Sequence, residues 1–254
     1  MRIAVIGAGN MGSALIRGIV ASGLRSPQGV MAADRSAARL TAIRRHRVRT
    51  TRENRAAAAW GDLVILAVKP DDLDAALREI RPVLSARHLI VSIAAGVPLA
   101  RIRRLVGPLP VLVRALPNLP AVVGEAMTAI SPESAGSGRR GTPPGRLRTA
   151  RRLFEAVGRV VVVDEQHLHA VTGLSGSGPA YLCLVIEALA DGGATLGLSK
   201  TLALDLAIQT ALGAARLLRE QGEPPGRVIA RVASPGGTTV AGLRALTQDR
   251  KSVV

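Results

Sequence analysis

The sequence predicts an α/β domain built on a parallel sheet, followed by an all-helical domain. Short apolar runs alternate with helix-like segments over the first part of the chain, which is typical of a parallel sheet covered by helices. Beyond about residue 165 no further strand pattern occurs, and two long helical runs follow. We therefore expect two domains, residues 1–163 and residues 164–254.

The elements follow in order from apolar runs and from their punctuation by glycine and proline. Six strands are expected, at residues 2–6, 29–33, 62–68, 88–93, 111–116 and 159–163. Helices are expected at residues 10–22, 36–45, 71–84, 147–157, 179–196 and 200–220. The stretch 131–145 is rich in Gly, Pro, Ser and Arg and predicts a surface connection.

The second domain is expected to form the contacts between subunits of a homo-oligomer. The helix at 200–220 is apolar on nearly every side, and a helix of that kind is normally buried. A domain of about 90 residues cannot easily cover it, so we expect a homo-oligomer, at least a dimer, through this domain. Cys183 has apolar neighbours and is expected to be a buried, inert thiol.

Composition excludes some classes of protein. The 254-residue chain has a formal net charge of +16, but aromatic residues are 1% of it, so platforms for stacking nucleobases are nearly absent. The basic residues are scattered, and we expect no specific nucleic-acid partner. A strand and a glycine loop stand where a signal peptide would need an apolar core, and uncharged runs of membrane-spanning length are missing. We expect a cytoplasmic protein with no membrane partner.

A glycine loop directly follows the first strand and opens the first helix. In the pattern GxGxxG the first glycine permits a tight turn, the second admits a pyrophosphate to the backbone, and the third lets helix and strand pack closely. The strand–turn–helix context predicts a Rossmann-type dinucleotide-binding domain. The residues expected to contact the cofactor there are Gly7, Ala8, Gly9, Asn10, Met11 and Gly12.

The end of the second strand leaves the choice of cofactor open. Asp34 can accept a hydrogen bond from a ribose 2′-hydroxyl, which favours NAD. Arg35 can pair with a 2′-phosphate, which favours NADP, and the Arg-rich stretch 35–55 favours the phosphate too. We expect NADP or NAD, in the reduced form, as hydride donor.

Several further segments, in order and with matching spacing, resemble the pyrroline-5-carboxylate reductases over nearly the whole chain. The segments are IGAGNMG at 6–12, AVKP at 67–70, SIAAGV at 92–97, LPNLPA at 116–121, AVTGLSGSGPAY at 170–181 and SPGGTT at 234–239. The resemblance implies reduction of 1-pyrroline-5-carboxylate to L-proline by hydride transfer from NAD(P)H, the last step of proline biosynthesis.

The resemblance also implies roles for individual residues. Thr239 would be catalytic, binding the ring nitrogen or the carboxylate of a cyclic imino acid through its hydroxyl. The substrate-binding set would be Glu165, Ser175, Ser177, Ser234, Gly236, Gly237, Thr238 and Thr239. Besides the glycine loop and Asp34 or Arg35, the cofactor would contact Asn54, Ala67, Val68, Lys69, Pro70, Ala94, Ala95 and Gly96.

Two other functions remain open at this point. A β-hydroxyacid dehydrogenase would share the plan, but its catalytic Lys is followed by an Asn, whereas Leu204 lies four residues after Lys200. A nucleotide-binding protein without catalysis is the second alternative. No metal-ligand spacing occurs, and no metal is expected. The tail after Gln248 lacks an apolar stripe, and the family's final helix is expected to be missing.

Overall fold

The computed structural model describes residues 1–135 and 141–248. The chain forms two compact units, Met1–Ala180 and Tyr181–Val254. The tail that was expected to lack a helix, residues 249–254, and residues 136–140 of the expected surface connection lie outside the described residues.

The first unit contains an eight-stranded sheet with the order β3-β2-β1-β4-β5-β6-β7-β8. All neighbouring strands are parallel except β6 and β7, which are antiparallel. The first strand lies inside the sheet, paired with β2 on one side and β4 on the other. The strands are β1 Ile3–Ile6, β2 Val30–Ala33, β3 Arg49–Thr51, β4 Leu63–Leu66, β5 Leu89–Ser92, β6 Val111–Leu116, β7 Ala126–Pro132 and β8 Gly158–Val162.

Helices cover both faces of this sheet, as a parallel sheet requires. Alternate residues of each strand face opposite sides, so Ile3 and Val5 pack with one layer of helices and Ala4 and Ile6 with the other. The first layer comprises α1 Asn10–Ala21, α2 Ala37–Arg44 and α6 Pro144–Glu155; the second comprises α3 Asn54–Trp60, α4 Pro70–Ile80 and α5 Leu99–Val106. The predicted α/β fold class, Rossmann-type with a helical second part, is confirmed.

Trp60, the only tryptophan of the chain, closes α3 beside the start of the sheet. The guanidinium carbons of Arg2 and Arg49 lie 5.6 and 5.8 Å from its ring centroid. The Arg2 backbone is held in turn by Asp62, whose carboxylate accepts its N–H at 2.8 Å. Cation–π contacts and a backbone bond thus anchor the chain ahead of β1.

A short α-helix and a π-helical turn lead toward the second unit. The helix α7 is Leu168–Val171, and the π-turn spans Thr172–Gly176. Helix α8, Gly178–Thr195, begins in the first unit, and α9 is Lys200–Gln221. Two further helices follow, α10 Pro225–Val232 and α11 Thr238–Gln248, and no strand occurs after β8 in the described part of the chain.

The long helices of the second unit are largely uncovered by their own chain. Their buried residues are Ala190, Ala203 and Ala207, while most of the large apolar side chains are exposed. Cys183 on α8 is exposed as well, so the expectation of a buried thiol is wrong for the single chain. Both observations have the same cause, because no element among the described residues of the unit covers that face of α8.

The segments Glu165–Thr195 and Lys200–Gln221 have the length and hydropathy of a membrane span. This is weak evidence by itself, because helices that pack together in a soluble assembly have the same composition.

Candidate functional site

A cleft of about 680 Å³ opens at the carboxyl ends of β1, β2, β4 and β5, where ligands bind in open α/β sheets. Ligand sites typically measure about 300 to 1,000 Å³. Most of the predicted cofactor residues line it. They are Gly7, Gly9, Asn10, Met11, Asp34, Arg35, Asn54, Ala67, Val68, Lys69, Pro70, Ala94 and Ala95.

The glycine loop has the shape of a phosphate cradle. Gly7 has a φ of +101°, and a Cβ on it would lie 2.5 Å from the Ala67 carbonyl oxygen. A Cβ on Gly12 would overlap the carbonyl oxygen of Gly7. A Cβ on Gly9 would meet no protein atom within 4 Å. The loop is therefore closed on its protein side and open toward the cleft, and α1 begins there with unpaired N–H groups, as an anion requires.

Three predicted cofactor residues lie just outside the cleft. Ala8 is buried, and its N–H donates to Asp34. Gly12 is buried under the loop, where it allows α1 to approach Gly7 and Ala67. Gly96 has a φ of +73° in the exposed turn after β5. These residues shape the cleft through their backbones.

Asp34 is nearly buried, and both of its carboxylate oxygens are used within the protein. Oδ2 accepts the Ala8 N–H at 2.8 Å, and Oδ1 accepts the Ser36 N–H at 2.8 Å. Arg35 projects outward and pairs with Asp72 at 2.5 Å. The Asn54 amide donates to Glu79 at 2.8 Å across the cleft's outer end. Asp34 and Arg35, which left the choice between NAD and NADP open, thus have different environments: Asp34 is nearly buried, and Arg35 is exposed.

Sequence reasoning missed several residues of the cleft. They are Ala33, Arg39, Asp72, Ala75, Ala76, Glu79, Ile93 and Pro117. Arg39 had a usable signal, because it lies four residues after Arg35 and just beyond Ser36, whose hydroxyl caps α2. Asp72, Ala75, Ala76 and Glu79 lie on one face of α4, and no motif in the sequence singles that face out.

Among the residues predicted to bind substrate, three lie in the first unit. The Glu165 carboxylate accepts the Leu99 N–H at 2.7 Å and an N–H of the buried Arg114 at 3.1 Å. Ser175 lies in the π-turn, and its carbonyl accepts the Asn118 amide at 2.9 Å. Ser177 follows that turn and donates its N–H to the Thr172 carbonyl at 2.9 Å. A π-turn of this kind is frequent at functional sites.

The remaining substrate candidates form one turn in the second unit. The Gly237 N–H donates to the Ser234 carbonyl at 3.0 Å, and Gly236 has a φ of +72°, which favours glycine. Helix α11 begins directly afterwards at Thr238. The structure therefore brings Ser234, Gly236, Gly237, Thr238 and Thr239 together at the N-terminal end of one helix, where backbone N–H groups lack helical partners.

Two family profiles match the chain. The one described as pyrroline-5-carboxylate reductase dimerisation matches residues 165–253. The one described as NADP oxidoreductase, coenzyme F420-dependent, matches residues 2–96. They match both parts of the chain, and the dimerisation profile supports homo-oligomerisation.

Relatives are similar over nearly the full length. A pyrroline-5-carboxylate reductase of Synechocystis sp. is 40% identical over 97% of this chain and 90% of its own. A solved pyrroline-5-carboxylate reductase of Coxiella burnetii is 34% identical, with a TM-score of 0.87 over 97% of this chain and 90% of its own. The NADP-bound pyrroline carboxylate reductase of Plasmodium falciparum is 28% identical, with a TM-score of 0.86 over 98% and 90%.

These matches leave neither alternative favoured, neither the β-hydroxyacid dehydrogenase nor the protein without catalysis. The cleft fits a nicotinamide dinucleotide, NAD or NADP, because its glycine loop is closed to side chains on the protein side and open on the other. The chain belongs to the pyrroline-5-carboxylate reductase family, and it is an oxidoreductase that reduces 1-pyrroline-5-carboxylate to proline with a nicotinamide cofactor.

Proposed function

We propose that the cleft of the first unit binds the nicotinamide cofactor and that the turn Ser234–Thr239 binds 1-pyrroline-5-carboxylate. The observation that carries the first part is the open face of Gly9 in an otherwise tightly packed loop. The second part is supported by the turn at the start of α11, whose N–H groups suit a carboxylate. A boundary between functional domains at 163/164 is part of the proposal.

The chemistry asked of the side chains is small. When bound, the reduced nicotinamide would supply the hydride for the C=N carbon of the substrate ring. A substrate that arrives as the ring iminium is already electrophilic, and its nitrogen becomes the amine of proline without a prior proton transfer. The protein then contributes by positioning the reactants in a site from which water is excluded. In this proposal the Thr239 hydroxyl orients the ring nitrogen or the carboxylate.

Glu165 has a different role in this proposal from direct substrate binding. Its carboxylate is engaged by Leu99 and Arg114, so it fixes the segment that follows β5. That segment carries Ala94 and Ala95 into the cleft. Glu165 would therefore act on the cofactor end through the backbone, with Ser175 and Ser177 holding the π-turn beside Asn118.

The test compares two variants of Thr239, which lies on α11. Thr239→Ala should lower kcat/KM for the imine about ten- to a hundred-fold, the range expected for losing a hydrogen bond to a charged group. Thr239→Ser should restore most of the activity because it keeps the hydroxyl. Cofactor affinity, measured by nicotinamide fluorescence without imine, should not change.

The matched control is Thr247→Ala, on the same helix. The Thr247 hydroxyl donates to the Leu243 carbonyl within α11, so its loss should leave the kinetics unaltered. Unchanged kinetics for Thr239→Ala would remove Thr239 from the site.

We also propose that the working form is a homodimer in the cytoplasm that binds neither membranes nor specific nucleic acid. The match of residues 165–253 to a dimerisation profile supports the dimer. Ultracentrifugation of a lysate would test the location: recovery of the enzyme in the membrane pellet would contradict it. Duplex DNA that retained the enzyme at physiological salt in a sequence-dependent manner would contradict the last point.

A further inference from the structure

The Asp34 carboxylate holds the glycine loop to the start of α2. Its two oxygens accept the N–H groups of Ala8 and Ser36, both at 2.8 Å, and its side chain is 8% exposed. An acidic residue that selects NAD must offer its oxygens to the ribose hydroxyls. Here both oxygens accept N–H groups of the protein backbone. The acidic residue at the end of β2 therefore does not indicate a preference for NAD in this protein.

The groups around Asp34 that face solvent are cationic. Arg35 and Arg39 both line the cleft, with side chains 76% and 58% exposed. Arg52 donates to the Arg35 carbonyl at 3.2 Å and so brings a third guanidinium to the same place. Between residues 35 and 55 the sequence contains eight arginines and one acidic residue, Glu53.

Two acidic residues of α4 line the same cleft, and they differ in the side chains that they contact. Asp72 pairs with Arg35 at 2.5 Å, and Glu79 is engaged by the Asn54 amide at 2.8 Å. In the part of the chain that the structure describes, the Arg39 guanidinium has only the contact of 3.5 Å with Asp34, which lies at the limit of a hydrogen bond. Of the arginines that line the cleft, Arg39 is the one whose guanidinium has the weaker contact with protein atoms.

We propose that Arg39, assisted by Arg35, makes this enzyme select NADPH over NADH by binding the 2′-phosphate of the adenosine ribose. Asp34 is a structural residue of the loop and not a ribose ligand. The inference rests on the proposed binding of the cofactor in this cleft and adds to it the specificity between the two cofactors. A guanidinium suits this task because it forms charge-assisted, bidentate contacts with phosphate.

The first experiment measures the affinity of each reduced cofactor by fluorescence titration without imine. The unmodified protein should bind NADPH at least about tenfold more tightly than NADH, and Arg39→Gln should lower that ratio about ten- to a hundred-fold. Arg45→Gln is the matched control, because it removes the same charge at the end of the same helix from a residue that does not line the cleft. Its ratio should equal that of the unmodified protein.

The second experiment uses Asp34→Asn. An amide cannot accept both backbone N–H groups, so this variant should bind both cofactors more weakly by a similar factor and should melt at a lower temperature. A selective loss of NADH affinity would show that Asp34 binds ribose and would overturn the inference. An unchanged ratio in Arg39→Gln would overturn it as well.

These outcomes separate the inference from the proposed function. Equal affinity of the unmodified protein for both cofactors would overturn the inference alone. If the protein bound neither cofactor, the inference and the proposed function would both be overturned. Cofactor binding without turnover of the imine would contradict only the proposed function.

Discussion

The three glycines of the Gly7–Gly12 loop differ in what surrounds them. Gly7 and Gly12 face protein backbone, whereas Gly9 faces the open cleft. Gly9 has a φ of −71°, so an alanine there is conformationally free. A methyl group at each position therefore tests a different property, packing in one case and ligand access in the other.

We expect Gly9→Ala to leave the free energy of unfolding within about 0.5 kcal/mol of the original, because it touches no protein atom. The same variant should lose most of its cofactor affinity, since the methyl group occupies the approach to the backbone. Gly12→Ala should lower the free energy of unfolding by about 2 kcal/mol or more. It should also weaken cofactor binding. Urea unfolding and fluorescence titration measure the two effects. A stable Gly9→Ala protein that binds cofactor normally would show that the ligand lies elsewhere.

His88 is a buried imidazole directly before β5. Its Nδ1 accepts the Ser85 N–H at 2.9 Å, and its Nε2 lies 3.2 Å from the Ala58 carbonyl, which assigns the neutral Nε2–H tautomer. Burial is the main cause that lowers the pKa of His88 below the ordinary value, and the Arg87 charge acts in the same direction. The protonated ring is therefore disfavoured in the folded protein.

The stability should depend on pH through this residue. The unfolded chain takes up a proton at the ordinary histidine pKa of about 6.5, and the folded chain takes it up only at lower pH. The contribution of neutral His88 is thus complete above about pH 6.5 and is lost as the pH falls through the lowered folded pKa.

Urea unfolding of the original protein and of His88→Asn at about pH 7.5 and about pH 5.5 would measure this dependence. The variant should be less stable at both values but should lose less on acidification. His46, whose pKa is also lowered by burial, remains in both proteins and cancels in the comparison. An equal loss in the two proteins would assign the pH dependence to other groups.

At the residue scale, the sequence predicted positions better than partners. The strand pattern placed Asp34 at the end of the second strand, where the cofactor is expected, and the family resemblance gave Glu165 as a substrate-binding residue. The sequence could not predict that Asp34 binds Ala8 or that Glu165 binds Leu99, since those partners are 26 and 66 residues away. Such contacts depend on side-chain rotamers and on the packing of separate elements.

At the scale of elements, one nearly buried ion pair joins α5 to the end of β7. Arg103 donates through two nitrogens to both oxygens of Glu133, at 3.0 and 2.5 Å, and through a third to the Gly107 carbonyl. Their side chains are 15% and 7% exposed. Removal of one partner would leave the other charge buried and unpaired, which is the costly case.

Arg103→Ala should therefore lower the free energy of unfolding by about 3 kcal/mol. The control is Arg151→Ala, which removes an exposed pair with Glu155 at 2.8 Å on α6 and should cost less than about 1 kcal/mol. Urea unfolding of both variants gives the comparison. Equal costs would mean that the pair on α5 is no better isolated from solvent than the surface pair.

Several elements have no clear signal in the sequence, each for a reason of its own. The strand β3, Arg49–Thr51, is short, polar and at the sheet edge, so it carries no apolar run. The helix α5, Leu99–Val106, has three arginines in eight residues, and only Leu99, Ile102 and Val106 are buried. The antiparallel strand β7 follows β6 through a one-turn 3₁₀ helix that reads as a loop. The strands β1, β4 and β5, in which every residue is buried, were predicted, because burial on both faces leaves a plain apolar run.

At the scale of the whole molecule, the exposed apolar side chains of α8 and α9 should form the subunit interface. Leu184→Glu, at a side chain that is 66% exposed in the single chain, should convert the dimer to a monomer, because a carboxylate would be buried without a partner. Leu109→Glu changes a side chain that is 58% exposed in the first unit and should leave the dimer intact. Light scattering after size exclusion measures the mass. A dimeric Leu184→Glu protein would place the interface on another face.

The arginine-flanked indole of Trp60 gives the first unit an optical signal of its own. Because the chain has one tryptophan, emission excited at the red edge of protein absorbance reports melting of Met1–Ala180 and is silent about the second unit. Far-ultraviolet ellipticity reports the helices of both. If the two signals change at different urea concentrations, the units lose their structure in separate steps; if they coincide, the enzyme unfolds as one cooperative body.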